Sequence, residues 1–167
     1  SQDLNKLNYE VFARQELVDN AISPLVYGAG IVFPFFKNKL QLKSNLSTNY
    51  RVPTLNDLYW NPGGNENLIP EKGWTAEIGV DFHHITEKIK YQAISINKVK
   101  HKLNYGLTIF YNQTNNWIQW QPTDFGYWKP VNLKSIENKG VEAFIKYDSQ
   151  ISKSKIKVNL FYTFTDS

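Results

Sequence analysis

The sequence predicts an all-β fold of antiparallel, up-and-down strands that cross a membrane as part of a β-barrel. Three observations predict it: apolar residues alternate with polar ones, the alternating runs last nine residues or more, and short turns alternate with long loops. Strands of globular proteins average about 5 or 6 residues, whereas a strand that crosses a bilayer needs about 9 to 11. The length of the runs therefore favours membrane-spanning strands.

Seven segments carry the alternation. The three clearest are residues 74–82, 102–111 and 155–164, and residues 7–18, 25–35 and 39–50 fit the pattern less cleanly. The seventh is marked by Val141, Ala143, Ile145 and Tyr147, although Phe144 interrupts its polar face. Successive side chains of a strand point to opposite faces, so each segment has an apolar wall and a polar wall. The polar walls carry Glu, Asp, Lys and Asn, and we therefore expect them to face water.

The connections between these segments differ in length. Residues 35–38, after Pro34, and residues 149–152 predict tight turns, whereas residues 61–73 and 122–130 predict longer loops. Short turns at one rim and long loops at the other are typical of outer-membrane barrels. Residues 85–101 do not fit this scheme, and two interpretations stay open: they extend both neighbouring strands, or they form an insertion.

Composition excludes several other classes of protein. The chain has no Cys, so neither disulfides nor thiolate metal sites are available, and it has no Met, so we expect an internal or processed start without a signal segment. The longest apolar stretch, residues 28–36, is interrupted by Pro34 and is far shorter than the ~20 residues of a membrane-spanning helix. Aromatic residues reach 15%, which suits a barrel with aromatic girdles. The net charge of +4 comes from scattered Lys residues, so we expect no nucleic-acid partner.

Catalytic and metal-binding arrangements are also absent from the pattern. Glu77 and Asp81 share a strand face but would lie about 13 Å apart, whereas paired carboxylates of glycosidases lie about 5 to 9.5 Å apart. His83 and His84 point to opposite faces of a strand and cannot chelate one metal ion. The sequence has no nucleophile elbow and no phosphate-binding glycine loop. We therefore expect no enzyme activity, no metal and no cofactor.

Three motifs occur in a fixed order in the middle of the chain. The first is Asn-Tyr-Arg-Val-Pro-Thr-Leu-Asn-Asp-Leu-Tyr-Trp at residues 49–60. The second is Gly-Asn-Glu-Asn-Leu-Ile-Pro-Glu at residues 64–71, followed by Trp-Thr-Ala-Glu-Ile-Gly at residues 74–79. The third is Val-Asn-Leu at residues 131–133, followed by Glu-Asn-Lys-Gly-Val-Glu at residues 137–142. Together they resemble the barrel of TonB-dependent outer-membrane receptors, with one departure at Glu66, where the family usually has Pro.

The resemblance implies a larger molecule than this chain. Transporters of this class have about 22 strands and a plugged lumen. Residues 1–167 would be a partial barrel domain from the C-terminal part of the barrel, with about seven or eight strands and without the plug domain. The implied function is capture of a scarce nutrient, an iron–siderophore complex or cobalamin, at the surface of a Gram-negative cell for TonB-driven uptake. The implied partners are outer-membrane lipid, the plug domain and remaining strands of the same receptor, the nutrient and, indirectly, the TonB complex.

The resemblance and the aromatic loops also nominate residues. The family-motif positions, which we expect to shape the rim and the inner wall, are Arg51, Pro53, Thr54, Leu55, Gly64, Asn65, Pro70, Glu71, Glu77, Gly79, Asn138, Gly140 and Glu142. Rigid aromatic planes make effective ligand platforms. The candidate ligand-binding positions in the loops are Tyr59, Trp60, Asn61, Trp120, Tyr127 and Trp128. Because Trp117 and Trp120 are three residues apart, we expect them on opposite faces of an ideal strand.

Two rival interpretations stay open at this point. A soluble β-sandwich that binds carbohydrate through Trp and Tyr would have shorter strands and a closed apolar core. A complete small barrel of eight strands would serve a structural or adhesive role, but the receptor-type motifs argue against it.

Overall fold

The computed structural model describes residues 7–18, 21–92, 95–151 and 154–167. Most of these described residues lie in strands and only one short helix occurs among them, so the predicted all-β class is confirmed. The helix α1 spans Leu55–Tyr59. Within these residues, no helix has the length and hydropathy needed to cross a membrane.

Seven strands form one antiparallel sheet in the order β1-β4-β5-β6-β7-β8-β9. Each strand from β4 onwards pairs with the next one along the chain, which is the predicted up-and-down topology. The strands of this sheet are β1 (Asn8–Arg14), β4 (Val26–Phe35), β5 (Leu40–Arg51), β6 (Glu71–Gln92), β7 (Ser95–Pro122), β8 (Trp128–Ile151) and β9 (Ser154–Asp166). The short strands β2 (Leu17–Val18) and β3 (Ala21–Ile22) pair only with each other.

The single strand predicted for residues 7–18 is wrong. β1 ends at Arg14, and the chain then leaves the main sheet. The reason is a local hydrogen-bonded turn: the Glu16 N–H donates to the Ser23 hydroxyl at 2.8 Å, and the Ser23 N–H donates to the Glu16 carbonyl at 2.8 Å. These bonds pair Glu16 with Ser23 next to the small hairpin that contains Leu17 and Val18.

The strands are longer than the alternating runs that predicted them. β6, β7 and β8 have 22, 28 and 24 residues. Residues 85–92 extend β6 and residues 95–101 extend β7, with Gln92 paired to Ser95, so the insertion is excluded. Because the strands are longer than predicted, the loops at the other end are shorter than predicted. Residues 71–73 belong to β6, and Pro122 pairs with Trp128, so that loop is reduced to residues 123–127.

The tight turn predicted at residues 149–152 is placed too early. Ser149, Gln150 and Ile151 remain paired with β9, and position 152 lies outside the described residues. The polar residues suggested a turn, but the backbone hydrogen bonds between two strands form regardless of side-chain polarity. The turn after Pro34 has its predicted place, with Phe36, Lys37 and Asn38 in the left-handed region at φ values of 49°, 57° and 64°.

The apolar wall of the sheet has no protein cover. Ile78 is 62% exposed and Leu160 is 59% exposed. Among the described residues, the buried hydrophobic side chains are Val26, Leu68 and Ile118. In one row of register partners across five strands, every side chain is aliphatic or aromatic: Leu40, Phe82, Tyr105, Ile145 and Leu160. A sheet of this kind lacks the enclosed core of a soluble sandwich.

The opposite wall is polar and is crowded where large rings lie over glycine. Lys43 forms an ion pair with Asp81, with 3.0 Å between Nζ and Oδ1. The Phe110 ring covers Gly140 so closely that a Cβ there would lie 2.5 Å from its Cζ. This wall therefore combines charged groups with an aromatic side chain packed closely over a glycine.

Candidate functional site

A cluster of polar side chains joined by hydrogen bonds lies where β5 ends and β6 begins. This end of the sheet carries the long loops, and we call it the loop rim. Thr54 caps α1, because its hydroxyl accepts from the Asp57 N–H at 3.1 Å. The Asp57 carboxylate accepts in return from the Thr54 N–H at 2.9 Å and from the Thr54 hydroxyl at 2.8 Å. This reciprocal capping box fixes the start of the helix directly after Pro53.

Two buried carboxylates share one guanidinium at the loop rim. Asp57 and Glu71 are 6% and 5% exposed. Arg51 donates from Nε to Glu71 Oε2 at 2.9 Å and from Nη2 to Glu71 Oε1, and its Nη1 lies 3.6 Å from Asp57 Oδ2. A guanidinium forms such bidentate pairs with carboxylates because its planar fork matches their geometry. Arg51 therefore joins the end of β5 to both α1 and β6.

The same carboxylates reach across to β7. Glu71 Oε1 also accepts from the Ile118 backbone N–H at 2.7 Å. Asp57 Oδ1 accepts from the Trp120 indole N–H at 2.9 Å. Long-range bonds therefore tie α1 and the start of β6 to the end of β7. We call Arg51, Thr54, Asp57, Glu71 and Trp120 the rim network.

The rim network keeps Asp57 ionised. Burial opposes the charged carboxylate, but the bonds from the Thr54 backbone and hydroxyl, the bond from Trp120 and the charge of Arg51 outweigh it. The net result is a pKa of Asp57 below its ordinary value. The carboxylate is therefore an acceptor for all its donors across the physiological pH range.

Asparagine side chains anchor the loop that follows α1. Asn65 Nδ2 donates to the Pro130 carbonyl at 3.0 Å. Asn132 accepts from the Ile69 N–H at 3.0 Å and donates to the Ile69 carbonyl at 2.9 Å, so it pairs with the loop backbone as a neighbouring strand would. Gly64 permits the fold of the loop, because a Cβ there would lie 2.5 Å from the Leu58 carbonyl oxygen. The loop is therefore attached to β8 at two points.

The predicted aromatic positions divide into anchored and exposed groups. Trp120 is half-buried and uses its indole N–H in the rim network. Tyr59, Trp60 and Trp128 are exposed. Tyr127 is half-buried and stacks on Phe125 with 6.3 Å between ring centroids. A Cβ on Gly63 would meet both the Trp128 carbonyl and the Tyr127 ring, so the two loops touch at this point.

Nearly the whole chain is similar to one known family of membrane proteins. Residues 7–167 match the family model described as TonB dependent receptor-like, beta-barrel. The chain belongs to this receptor family. The family comprises transporters and receptors and is not an enzyme family.

Two relatives of the receptor chain carry the same name. Vitamin B12 transporter BtuB of Photobacterium profundum is 29% identical over 109 residues, which are 63% of this chain and 15% of that protein. Vitamin B12 transporter BtuB of Vibrio vulnificus is 25% identical over 114 residues, which are 68% of this chain and 16% of that protein. The chain thus spans about one sixth of the length of the relatives it matches.

Not all motif residues of the receptor chain meet at the loop rim. Glu77 and Glu142 lie farther along the polar wall and line a cavity of about 460 Å³ with Lys43, Thr108, Phe110 and Asn112. Gly79 and Gly140 belong to the same wall, and a Cβ on Gly79 would lie 2.6 Å from Lys43 Cε. The motifs therefore mark two places, the rim and the inner surface of the wall.

Sequence reasoning did not nominate two side chains of the site, Asp57 and Asn132. The spacing Thr-x-x-Asp at residues 54–57 is a capping-box pattern and could have singled out Asp57. Asn132 lies inside a matched motif, but its partner Ile69 is 63 residues away along the chain. No local pattern reveals such a pairing.

Proposed function

We propose that the chain forms part of the barrel wall of a Gram-negative outer-membrane receptor that binds a scarce nutrient at the cell surface for TonB-driven uptake. The observation that carries the proposal is the sheet itself: long antiparallel strands with one uncovered apolar wall and one charged wall. An apolar band toward lipid and a polar lumen are the pattern of outer-membrane barrels. The family match supports the same assignment.

In this proposal the loop rim faces the outside of the cell. Outer-membrane barrels have longer loops on the extracellular side and short turns on the periplasmic side. The rim network and the exposed aromatic side chains would then lie where a nutrient first meets the receptor. The opposite end, with the turn at residues 36–38 and the β8–β9 connection, would face the periplasm, and we call it the turn rim.

The proposed cargo is cobalamin or an iron–siderophore complex. The names of the two relatives favour cobalamin among these. The proposed contact residues are Tyr59, Trp60, Asn61, Trp120, Tyr127 and Trp128. Exposed aromatic faces favour bulky cargo because they offer large contact area with few rotatable bonds.

The proposed partners follow from the family and from the size of the chain. We propose that outer-membrane lipid covers the apolar wall, and that a plug domain and further strands of the same receptor complete the molecule. The TonB complex would act through the plug rather than on this wall. A soluble carbohydrate-binding sandwich is disfavoured, because the described residues form one large sheet with exposed apolar side chains instead of two packed sheets.

Growth of a deletion strain tests the proposed function. A strain that lacks the receptor gene should lose growth when cobalamin is the limiting nutrient, and the full-length gene should restore it. A parallel culture limited for iron and supplied with a siderophore tests the second cargo. Unimpaired growth of the deletion strain in both media contradicts the proposal.

Aromatic substitutions test the proposed contact surface. Trp128→Ala in the full-length receptor should weaken cargo binding about three- to tenfold, because an exposed platform is removed without loss of a hydrogen bond recorded in the structure. The matched control is Trp74→Ala, since Trp74 packs against Tyr111 on the apolar wall, with 5.1 Å between ring centroids and 38° between the ring planes. Equal affinities of the Trp128→Ala and unaltered receptors, measured per folded molecule, would exclude this surface.

A further inference from the structure

The hairpin of β6 and β7 extends past both of its neighbouring strands at the turn rim. β5 pairs with β6 over all of its 12 residues and ends opposite Phe82, which already gives the length needed to cross a bilayer. On the other side, the pairing of β7 with β8 ends at Val99. β6 nevertheless continues to Gln92, paired with β7. We call residues 84–92 of β6 and 95–103 of β7 the hairpin extension; at the rise of an extended strand it projects about 30 Å beyond β5.

One edge of the hairpin extension lacks a neighbouring strand. In the part of the chain that the structure describes, β5 is the only strand besides β7 that pairs with β6, and it ends before the extension begins. The His83 N–H donates to the Lys39 carbonyl at 2.8 Å, which shows that odd-numbered amides of β6 point toward the β5 side. Amides alternate between the two sides of a strand, so those of Ile85, Ile89 and Tyr91 point to this open edge.

The open edge of β6 favours an extended polypeptide as its partner. The N–H and C=O groups along an unpaired edge form a regular row that another strand matches bond for bond, and addition of a strand to such an edge is a common mode of recognition. The headgroup of a lipid offers no such repeat of donors and acceptors. Ile85, which is 59% exposed, adds apolar contact area beside the row.

The composition of the hairpin extension indicates the charge of that partner. Five of its residues are lysines and one is acidic: Lys88, Lys90, Lys98, Lys100, Lys102 and Glu87. Lysines oppose pairing between two copies of the extension, because like charges would lie opposite each other, whereas a strand with Asp or Glu gains opposite-charge pairs. We propose that the open edge of β6 binds an extended, carboxylate-bearing strand of a separate periplasmic protein, outside the barrel; this rests on the proposed function, which places the turn rim in the periplasm.

Hydrogen exchange of the full-length receptor in detergent micelles tests the proposal, with amides resolved one by one by electron-transfer fragmentation. The probe is a synthetic peptide in which valine alternates with glutamate, and the control peptide has lysine in place of glutamate. We expect the valine–glutamate peptide to slow exchange of the Ile85, Ile89 and Tyr91 amides severalfold, because these amides gain an acceptor. The amides of Lys88 and Lys90, which point to β7, should exchange as before.

Proline substitutions separate the two edges of the hairpin extension. Ile89→Pro removes an amide that points to the open edge of β6. Its matched control is Ile96→Pro: Ile96 is the register partner of Tyr91, so its amide points to the opposite edge of the hairpin. Neither change removes a hydrogen bond between β6 and β7. We expect Ile89→Pro to abolish the protection of Ile85 and Tyr91 by the valine–glutamate peptide and Ile96→Pro to retain it.

Three results would overturn the proposal about the open edge. They are unchanged exchange of its amides with the valine–glutamate peptide, equal protection by both peptides, and protection by micelles that contain phosphatidylglycerol without any peptide. Growth of the complemented deletion strain separates this result from the proposed function. Failure of the receptor to support growth on either cargo, with the peptide protection present, would refute the proposed cargo and leave the assignment of the open edge standing.

Discussion

Asp57 is the residue on which the loop rim depends most. It closes the capping box with Thr54, accepts from Trp120 and contacts Arg51, yet almost none of its surface reaches solvent. A buried acceptor with several donors stabilises its surroundings mainly because its loss would leave those donors unpaired. One carboxylate therefore connects β5, α1 and β7.

Asp57→Asn should loosen this connection. The amide nitrogen would replace one of the two carboxylate oxygens and would face either the Thr54 and Arg51 donors or the Trp120 indole N–H. Either orientation leaves buried donors unpaired, at a cost of roughly 1–3 kcal/mol. We expect hydrogen exchange of a peptide that covers residues 54–60 to become about tenfold faster or more. The control is Asp124→Asn, an exposed carboxylate of the neighbouring loop. Unchanged exchange in the Asp57 variant would contradict the assigned role.

The lowered pKa of Asp57 predicts how the loop rim responds to acid. A carboxylate with a folded pKa below its unfolded pKa contributes stability that is complete above the unfolded value, about 3.9, and is lost as the pH falls through the folded value. Exchange of residues 54–60, corrected for its intrinsic pH dependence, should therefore be constant from pH 7 to about pH 5. It should rise only below about pH 4. A rise already between pH 7 and pH 5, or the same acid response in Asp57→Asn, would contradict this assignment.

At the scale of single residues, the sequence predicted which residues belong to the rim network better than it predicted which contacts they make. Arg51, Thr54 and Glu71 were nominated through the motifs, and all three belong to the rim network. Trp120 was nominated as a ligand contact, and whether it touches cargo stays a prediction. The bond from the Ile118 amide to Glu71 could not be predicted, because it joins residues 47 positions apart and involves no side chain of Ile118.

At the scale of elements, glycines on the polar wall control how closely neighbouring strands and rings pack. A Cβ on Gly140 would meet the Phe110 ring and the Phe164 carbonyl oxygen. By contrast, the nearest atom to a Cβ on Gly30 would be Asn45 Oδ1, at 3.8 Å. The two glycines share the sheet and the polar wall but differ in the space around them.

Gly140→Ala should therefore destabilise the folded receptor, and Gly30→Ala should not. Overpacking a crowded position costs about 1–3 kcal/mol, whereas substitutions at open positions usually change stability by less than about 0.5 kcal/mol. The measurement is the free energy of unfolding of each full-length variant in lipid vesicles, from denaturant titration. Equal free energies for the two variants would show that the close approach of Phe110 is unimportant.

The existence and direction of the main strands followed from period-two alternation, but their ends did not. Apolar and polar residues alternate along a strand when one face of the strand is apolar and the other faces water. The alternation disappears where both faces are exposed to water. β6 and β7 continue to Gln92 and from Ser95 beyond the alternating runs, which is why residues 85–101 could not be assigned from sequence. The break after Arg14 was missed because it depends on the local bonds between Glu16 and Ser23.

At the scale of the whole molecule, the apolar wall and the polar wall of the sheet require different surroundings. The described residues enclose very few buried apolar side chains, while whole rows of aliphatic and aromatic groups lie exposed on one side. In water such a surface would associate, since soluble monomers rarely expose large apolar patches. The proposed arrangement, with lipid against that side and water against the other, removes this difficulty.

One pair of substitutions on β9 tests this account most directly. Leu160 belongs to the apolar row that crosses five strands, and its neighbour Asn159 points to the polar wall. In the full-length receptor folded into lipid vesicles, Leu160→Arg should lower the free energy of unfolding by about 2–4 kcal/mol if it lies near the bilayer midplane. Asn159→Arg should change it by less than about 0.5 kcal/mol, as expected for a water-facing position. Equal effects of the two substitutions, or a larger effect of Asn159→Arg, would contradict the assignment of the walls to lipid and water.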